Sequence, residues 1–359
     1  MSAPRASAAH QLLGVLRPGD EPGDEALAIR RHLRAGGLGS EIFAGWIDPR
    51  LDPEARPLGK LSVADDPGTI CLYHFAPGCH AGRVAFAVRL VIRYRGRSSP
   101  RSLAGWSRSA ARLAAHAADE LRALAPCTAL ALADGASGRD DLVSAWFQVV
   151  RLLPCVHETV WSVPASPVFR RLHADGRARV LWVGRLAPDE RVENLVRGFA
   201  LLQRRLLPDS RLHLVGDDGI GGYARALQGL VRELGLQHVE LCGQLEEDER
   251  RAAYELADVY VSLSERERYS VPLVGAVLAR VPVQARDAGA AASSPAGAGI
   301  LVRDPDPELV AGLVERLVRD PDLRESVLRG QELVARRIRQ TDFGARVLQA
   351  PSPLLEESR

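Results

Sequence analysis

The chain has 359 residues, 46% apolar and 26% charged, with a formal net charge of +2. That balance suits two ordinary domains with full cores, excludes a disordered chain, and gives no polyanion-binding signal, so no nucleic acid partner is expected. Lys60 is the sole lysine, so 46 of the 47 basic residues are arginine, a bias of GC-rich bacterial coding under which arginine counts alone mark no phosphate sites.

Five scattered cysteines without C-x-x-C spacing fit a reduced, cytoplasmic compartment and speak against a zinc site. The opening MSAPRASAAH lacks the apolar run of a signal peptide. No window approaches the roughly 20 apolar residues of a membrane-spanning helix. Peripheral contact at the inner face of a membrane stays open.

In chain order, Gln11 to Leu16 is a first strand, followed by the turn-rich RPGDEPGDE and a helix capped by Asp24 that runs to about Ala35. Gly36-Gly37 ends it, and Ser40 to Ala44 resumes as a strand. Thr69 to His74 is another strand, Val84 to Tyr94 reads equally as helix or strand, Ser102 to Leu124 as one long helix, and Ala129 to Ala133 as a short strand. The proline-broken Leu152 to His173 is the expected linker. Domains are therefore expected over 1–165 and 166–339, with a tail over 340–359 that packs back on the first domain or hangs loose.

After the linker the pattern is cleaner. Strands are expected at Val180 to Gly184, Arg211 to Gly216, Val239 to Gly243, Val259 to Leu263, Val281 to Ala285 and Ile300 to Arg303. Helices alternate with them at Glu190 to Leu206, Tyr223 to Leu234, Glu247 to Leu256 and from near Pro272. Two more follow at Pro307 to Arg319 and Asp322 to Ile338. Alternation at this spacing means an α/β fold, a doubly wound parallel sheet with right-handed crossovers.

GDDGIGG (Gly216 to Gly222) lies between a strand and a helix without G-x-G-x-x-G spacing, so a flexible βα loop is expected there and not a dinucleotide site. P-loop, H-E-x-x-H and G-x-S-x-G patterns are absent. No two of the nine histidines stand at helical i, i+4 spacing, so no metal site is marked. Gly184-Arg185 closes VLWVG; a glycine there lets a ligand approach the backbone, and an arginine at the carboxyl edge of a parallel strand can grip phosphate oxygens in pairs.

Taken together, VLWVGRLAPDERVENLVRGFALL, RLHLVGDD, VELCGQL and VYVSLSERERYSVPLVGAV resemble the donor domain of the family 4 glycosyltransferases, retaining enzymes of GT-B architecture. GDEPGDEALAIRRHLRAGGLGSEIFA and LYHFAPG resemble bacterial acceptor domains of the same family. The resemblance implies two Rossmann-like domains facing across a cleft and a nucleoside-diphosphate sugar as donor. It implies no metal or other cofactor, and a glycan, lipid or small molecule as acceptor.

By that resemblance Gly184 and Arg185 fall on the diphosphate, Glu267 on the transferred sugar, and Arg268, Tyr269, Ser270 and Pro272 along the loop that holds it. Gly243 and Leu245 fall where backbone groups receive the base. Gly23 matches a loop glycine under the diphosphate and sugar, and His74 a cleft-lining position. Catalysis would rest on Arg185 and Glu267, with Arg191 and Arg268 as further guanidiniums within reach of the diphosphate. Two positions depart from the family pattern: Glu190 stands where a lysine meets the diphosphate, and Gly275 where a glutamate holds the ribose. A charge pair at about 4 Å and an effective dielectric near 20 is worth roughly 4 kcal/mol, so reversing one matters. The expected function is retaining hexosyl transfer; the alternative is an inactive homologue that acts as a binding or scaffolding partner.

Overall fold

The computed structural model describes residues 8–61, 69–79, 81–84, 89–155, 163–265, 270–288, 295–350 and 354. Two compact units emerge, one from Met1–Pro100, Arg112–Val156 and Asp342–Arg359, the other from Arg101–Ala111 and His157–Thr341.

The first unit runs β1 (Ala9–Leu16), α1 (Glu21–Ala35), β2 (Ile42–Ile47), β3 (Arg56–Pro57), β4 (Ile70–His74), α2 (Ala81–Val84) and β5 (Arg89–Tyr94). It continues with α3 (Pro100–Leu103), α4 (Arg108–Leu124), β6 (Thr128–Ala133), α5 (Ala136–Ser144) and β7 (Val150–Leu152). The seven strands form a parallel sheet in the order β3-β2-β1-β4-β5-β6-β7. Strands buried on both faces need apolar residues at every position, and ICLYH of β4 is buried throughout.

The second unit runs α6 (Pro167–His173), β8 (Ala178–Val183), α7 (Val192–Leu201), β9 (Ser210–Val215), α8 (Tyr223–Glu233), β10 (Val239–Gly243) and α9 (Glu247–Leu256). Then come β11 (Val259–Ser262), α10 (Val271–Leu278), β12 (Val283–Arg286), β13 (Ile300–Val302), α11 (Pro307–Arg319) and α12 (Pro321–Arg339). Its six strands are parallel, in the order β10-β9-β8-β11-β12-β13. Gln331 of α12 fastens that helix to the sheet: its Oε1 accepts from the Val283 N–H at 2.9 Å and its Nε2 donates to the Val281 carbonyl at 2.8 Å. A last helix, α13 (Phe343–Gln349), returns to the first unit, where Val347 is buried in the core beside Ile29 and Leu33 of α1.

Several local expectations are corrected. The first helix begins one turn before Asp24, because Pro22 fits the first turn; Asp24 lies inside it and accepts from the Gly19 N–H at 3.1 Å. The single helix expected from Ser102 is two, since Ser107 starts a new one by accepting from the Ala110 N–H at 3.2 Å. Val84 to Tyr94 resolves into the end of α2 and strand β5, with residues 85–88 outside the described set. The proline-broken stretch contains α6, capped by Ser166 with Pro167 in the first turn. The helix expected from Glu190 starts at Val192 instead, after a short turn and a left-handed Arg191 (φ 53°).

Candidate functional site

In both sheets the strand order reverses direction once, between β1 and β4 in the first and between β8 and β11 in the second. Ligands of open α/β sheets settle outside the carboxyl ends of the strands at such a reversal. In the second unit three neighbouring strands end in glycine there. Gly184 N–H donates to the Val215 carbonyl at 2.9 Å, and Gly216 N–H to the Gly243 carbonyl at 2.8 Å. A Cβ on Gly216 (φ 142°) would overlap the Gly184 carbonyl oxygen outright, so only glycine lets these strand ends lie so close. Backbone groups thus line the edge from β8 to β10.

Arg185 projects from this edge with its side chain half exposed, 4.0 Å from Asp189. A Cβ on Gly219 would strike the aliphatic part of Arg185, so the GDDGIGG loop shapes the guanidinium's resting place. Asp189 itself is buried, and its Oδ1 has no hydrogen-bond partner among the described residues. Glu190 closes the short turn Pro188–Glu190 and is partly buried.

The loop after β8 is tied to the loop after β11. Glu265 N–H donates to the Asp189 carbonyl at 2.9 Å, and Arg191 Nη2 donates to Glu265 Oε1 at 2.6 Å. Arg191 also reaches Glu193 at 3.4 Å, while Arg286 stands 3.7 Å from Glu265. The hydrogen bond to Glu265, stronger than the opposing effect of burial, raises the Arg191 pKa further. Tyr223 adds a second brace: its hydroxyl donates to Glu193 and accepts from the Val192 N–H at 3.1 Å. Burial, then Glu193, raises its pKa well above normal. Trp106, carried by the Arg101–Ala111 segment of this unit, meets the Tyr223 ring edge-on at 4.9 Å.

Arg266, Glu267, Arg268 and Tyr269 lie outside the described residues. The chain resumes at Ser270, whose hydroxyl caps α10 by accepting from the Leu273 N–H at 3.4 Å, with Pro272 in the first turn. The start of α10 therefore presents backbone N–H groups immediately after that loop, the polarity an anion favours. Gly275, where the resemblance led a ribose-holding glutamate to be expected, is buried; a Cβ there would lie 2.7 Å from the Tyr254 ring and 2.9 Å from its hydroxyl oxygen. Tyr254 is held in place by donating to the Pro272 carbonyl at 3.0 Å. Gly243 is left-handed (φ 67°), and Leu245 is a partly buried residue packed on the second unit's core.

In the first unit, Gly23 is buried in the first turn of α1, where a Cβ would come 2.8 Å from the Arg17 carbonyl. His74 is 2% exposed. Its Nε2 pairs with Gln11 Oε1 at 2.9 Å, and Arg95 Nη2 lies 2.9 Å from its Nδ1. Burial, reinforced by Arg95, holds the imidazole pKa well below normal, so the ring is neutral with its proton on Nε2.

Behind His74 sits an ionic group. Arg93 donates to Glu25 through Nε at 3.1 Å and Nη2 at 2.6 Å, and pairs with Asp134; Arg95 also binds Glu25. Burial opposes the Glu25 charge, but the two guanidiniums outweigh it and keep that carboxyl well below the usual range. Burial prevails at Asp134, whose carboxyl is raised despite Arg93.

Residues 168–330 match the family model described as glycosyl transferases group 1. No curated protein sequence matches the chain. Sucrose-phosphate synthase from Thermosynechococcus elongatus is 18% identical with a TM-score of 0.72, covering 96% of this chain and 98% of its own. HepE from Anabaena, solved with UDP and glucose, is 17% identical with a TM-score of 0.71 over 96% of this chain and 99% of its own. WaaG, a glycosyltransferase involved in lipopolysaccharide biosynthesis, is 15% identical with a TM-score of 0.68, over 96% and 99%. These likenesses give the fold, two Rossmann-like α/β domains of the GT-B class.

Three parts of the second unit's edge carry no individual mark in its sequence: Glu265 as the clasp of Arg191, Tyr254 as the filler over Gly275, and Gly219 as the seat of Arg185. Only the G-rich run from Gly216 hinted at crowding, and it read as a loose loop.

Proposed function

We propose that this chain is a retaining hexosyltransferase of family 4 type that uses a nucleoside-diphosphate sugar. The observation that carries the reading is the half-exposed Arg185 set over an edge of strand-end glycines at the sheet's reversal point. Backbone there admits a diphosphate closely, and a guanidinium stabilises the negative charge that grows on it as the sugar leaves. In the reaction the bond from the sugar's anomeric carbon to the diphosphate breaks, and a bond to the acceptor oxygen forms on the same face. The acceptor's proton passes to the departing diphosphate oxygen. Glu267 would orient the sugar, Arg191 and Arg268 would lie beside the diphosphate, and the α10 N-terminus would face its charge. Gly23 and His74 belong to the acceptor-side unit, which would take a glycan, lipid or small-molecule acceptor without metal. HepE has been solved with UDP and with UDP-glucose, which makes a uridine nucleotide the first probe. No helix among the described residues is long and apolar enough to cross a membrane; action in the cytoplasm, with peripheral contact at a membrane's inner face, is part of this proposal.

A second reading, a non-catalytic homologue that binds or scaffolds, is favoured by one observation. The ribose position at Gly275 is filled by Tyr254, leaving no room for a carboxylate. Calorimetry with UDP, GDP and ADP separates the two. The transferase reading expects micromolar binding of one nucleotide, weakened at least tenfold in Arg185→Ala, and hydrolysis or transfer of the matching sugar nucleotide. Absence of heat with all three at millimolar concentration would leave only the scaffold.

A further inference from the structure

Three metal-ligand side chains converge beneath α6, on one face of the second sheet at its β10 edge. His213 stands in the middle of β9, and Glu240 is its direct partner in the parallel pairing with β10, so the pleat sends both side chains to the same face. His173 is the last residue of α6. Its Nδ1 lies 3.6 Å from Glu240 Oε2, and His213 Nε2 lies 3.6 Å from that same oxygen. The imidazoles meet edge to face at 5.0 Å, and Phe169 stacks on His173 at 4.1 Å, which fixes the ring's plane.

His213 is 2% exposed, yet among the described residues its Nε2 has no hydrogen-bond partner, and neither does His173 Nδ1. A buried polar atom left without a hydrogen bond is destabilising, so such atoms are rare. Here two such atoms point at one carboxylate oxygen from beyond hydrogen-bond range. A third body between them would satisfy all three.

We propose that His173, His213 and Glu240 bind one divalent transition-metal ion, with zinc the closest chemical match. Zinc takes imidazole nitrogen and carboxylate oxygen at about 2.1 Å, and a tetrahedron of that size has edges of about 3.4 Å. Two of the three ligand separations are 3.6 Å, and all three ligand atoms lie within 4.8 Å of one another, so small rotations bring them onto the ion.

The surroundings balance in charge. Arg211 and Arg179 face Asp175 and Glu240, with Arg211 Nη2 at 2.7 Å from Asp175 Oδ2 and Nη1 at 3.5 Å from Glu240 Oε2. Arg211 thereby becomes an outer donor that orients the ligating carboxylate, and Arg179 holds the His173 carbonyl in place. Glu240 is 42% exposed, which provides an entry path and a fourth position for water. The ion would pin the end of α6 to the β9–β10 edge. The ligands come from three separate elements, so no local spacing betrays them.

The test uses the full chain, free of any histidine tag and stripped with EDTA, titrated with zinc chloride and assayed for metal after gel filtration. One equivalent of zinc, a raised Tm, and at least tenfold weaker binding in both His173→Gln and Glu240→Gln support the site. The two variants alter the more accessible ligands and are checked by circular dichroism. Unchanged zinc binding in a folded double variant, or none in the wild type, overturns it. Should the variants misfold, cobalt(II) added to the wild type decides. An intense visible spectrum of low coordination supports the site, and the pale spectrum of six-coordinate cobalt refutes it.

Discussion

Arg191 and Glu265 form a 2.6 Å ion pair that joins the loop after β8 to the loop after β11. Arg191 pays for this position with a left-handed backbone, φ 53°, that ends the preceding turn. Both side chains are about one-third exposed, so solvent screens the pair and its worth is modest. A double-mutant cycle of Arg191→Ala and Glu265→Ala, read by urea unfolding, is expected to show a coupling of about 0.5–1 kcal/mol. Strict additivity would mean that Arg191 is not held by Glu265 in solution. The place of Arg191 and Arg268 beside the diphosphate is tested separately: Arg191→Ala with Arg268→Ala is expected to weaken nucleotide binding, and unchanged binding refutes that role.

Gly275 leaves no room for an acid. A Cβ alone meets the Tyr254 ring at 2.7 Å, and Tyr254 is fixed by its bond to the Pro272 carbonyl. Gly275→Ala is expected to lower stability by about 1–3 kcal/mol, the usual cost of overpacking. Gly275→Glu should melt lower still, with no gain in nucleotide affinity. A Gly275→Glu protein that bound nucleotide more tightly at wild-type Tm would contradict the packing.

Gly219 governs Arg185 by leaving room for it. Gly219→Ala places a methyl against the middle of the arginine side chain, on an exposed loop where stability has little at stake. Nucleoside-diphosphate affinity is expected to fall by about three- to tenfold, up to about 1.4 kcal/mol, while Tm holds within error. Equal affinity in calorimetry would show that Arg185 does not meet the ligand.

The ionic group behind His74 makes a statement about acid. Glu25 has a folded pKa lowered from 4.5, so its contribution is complete above that value and is lost as pH falls through the lowered one. Glu25→Gln removes the buried carboxylate that Arg93 and Arg95 share, leaving Arg93 to Asp134, and should cost about 3–5 kcal/mol at pH 7. The difference from wild type should shrink by about 1.4 kcal/mol for each unit below pH 4.5. Asp134, raised by burial, titrates in the opposite sense. Removing the Glu25 charge also lowers the carboxyls of Asp134 and Glu21, which it otherwise pushes up, so the variant's pH profile by urea unfolding reads the group as a whole.

The alternation of strands and helices in the second unit was plain because both-face burial demands continuous apolar runs, as in VLWV before Gly184. Edges of elements were less plain. Ser107 divides a helix through one hydroxyl contact, and α7 starts late because of an arginine whose partner is 74 residues away. Gly184-Arg185 could be picked out from a strand end alone. Tyr254 over Gly275 could not, since nothing local distinguishes that glycine from an ordinary small helix residue.

The return of α13 to the first unit has a consequence for biogenesis. Val347 and Ala350 complete the core beside Ile29 and Leu33, yet they follow the whole of the second unit in the chain. On a ribosome, every segment of the second unit emerges before the first unit can be sealed. The earlier-made half must wait, partly open, for a helix translated more than 180 residues after its last strand at Leu152.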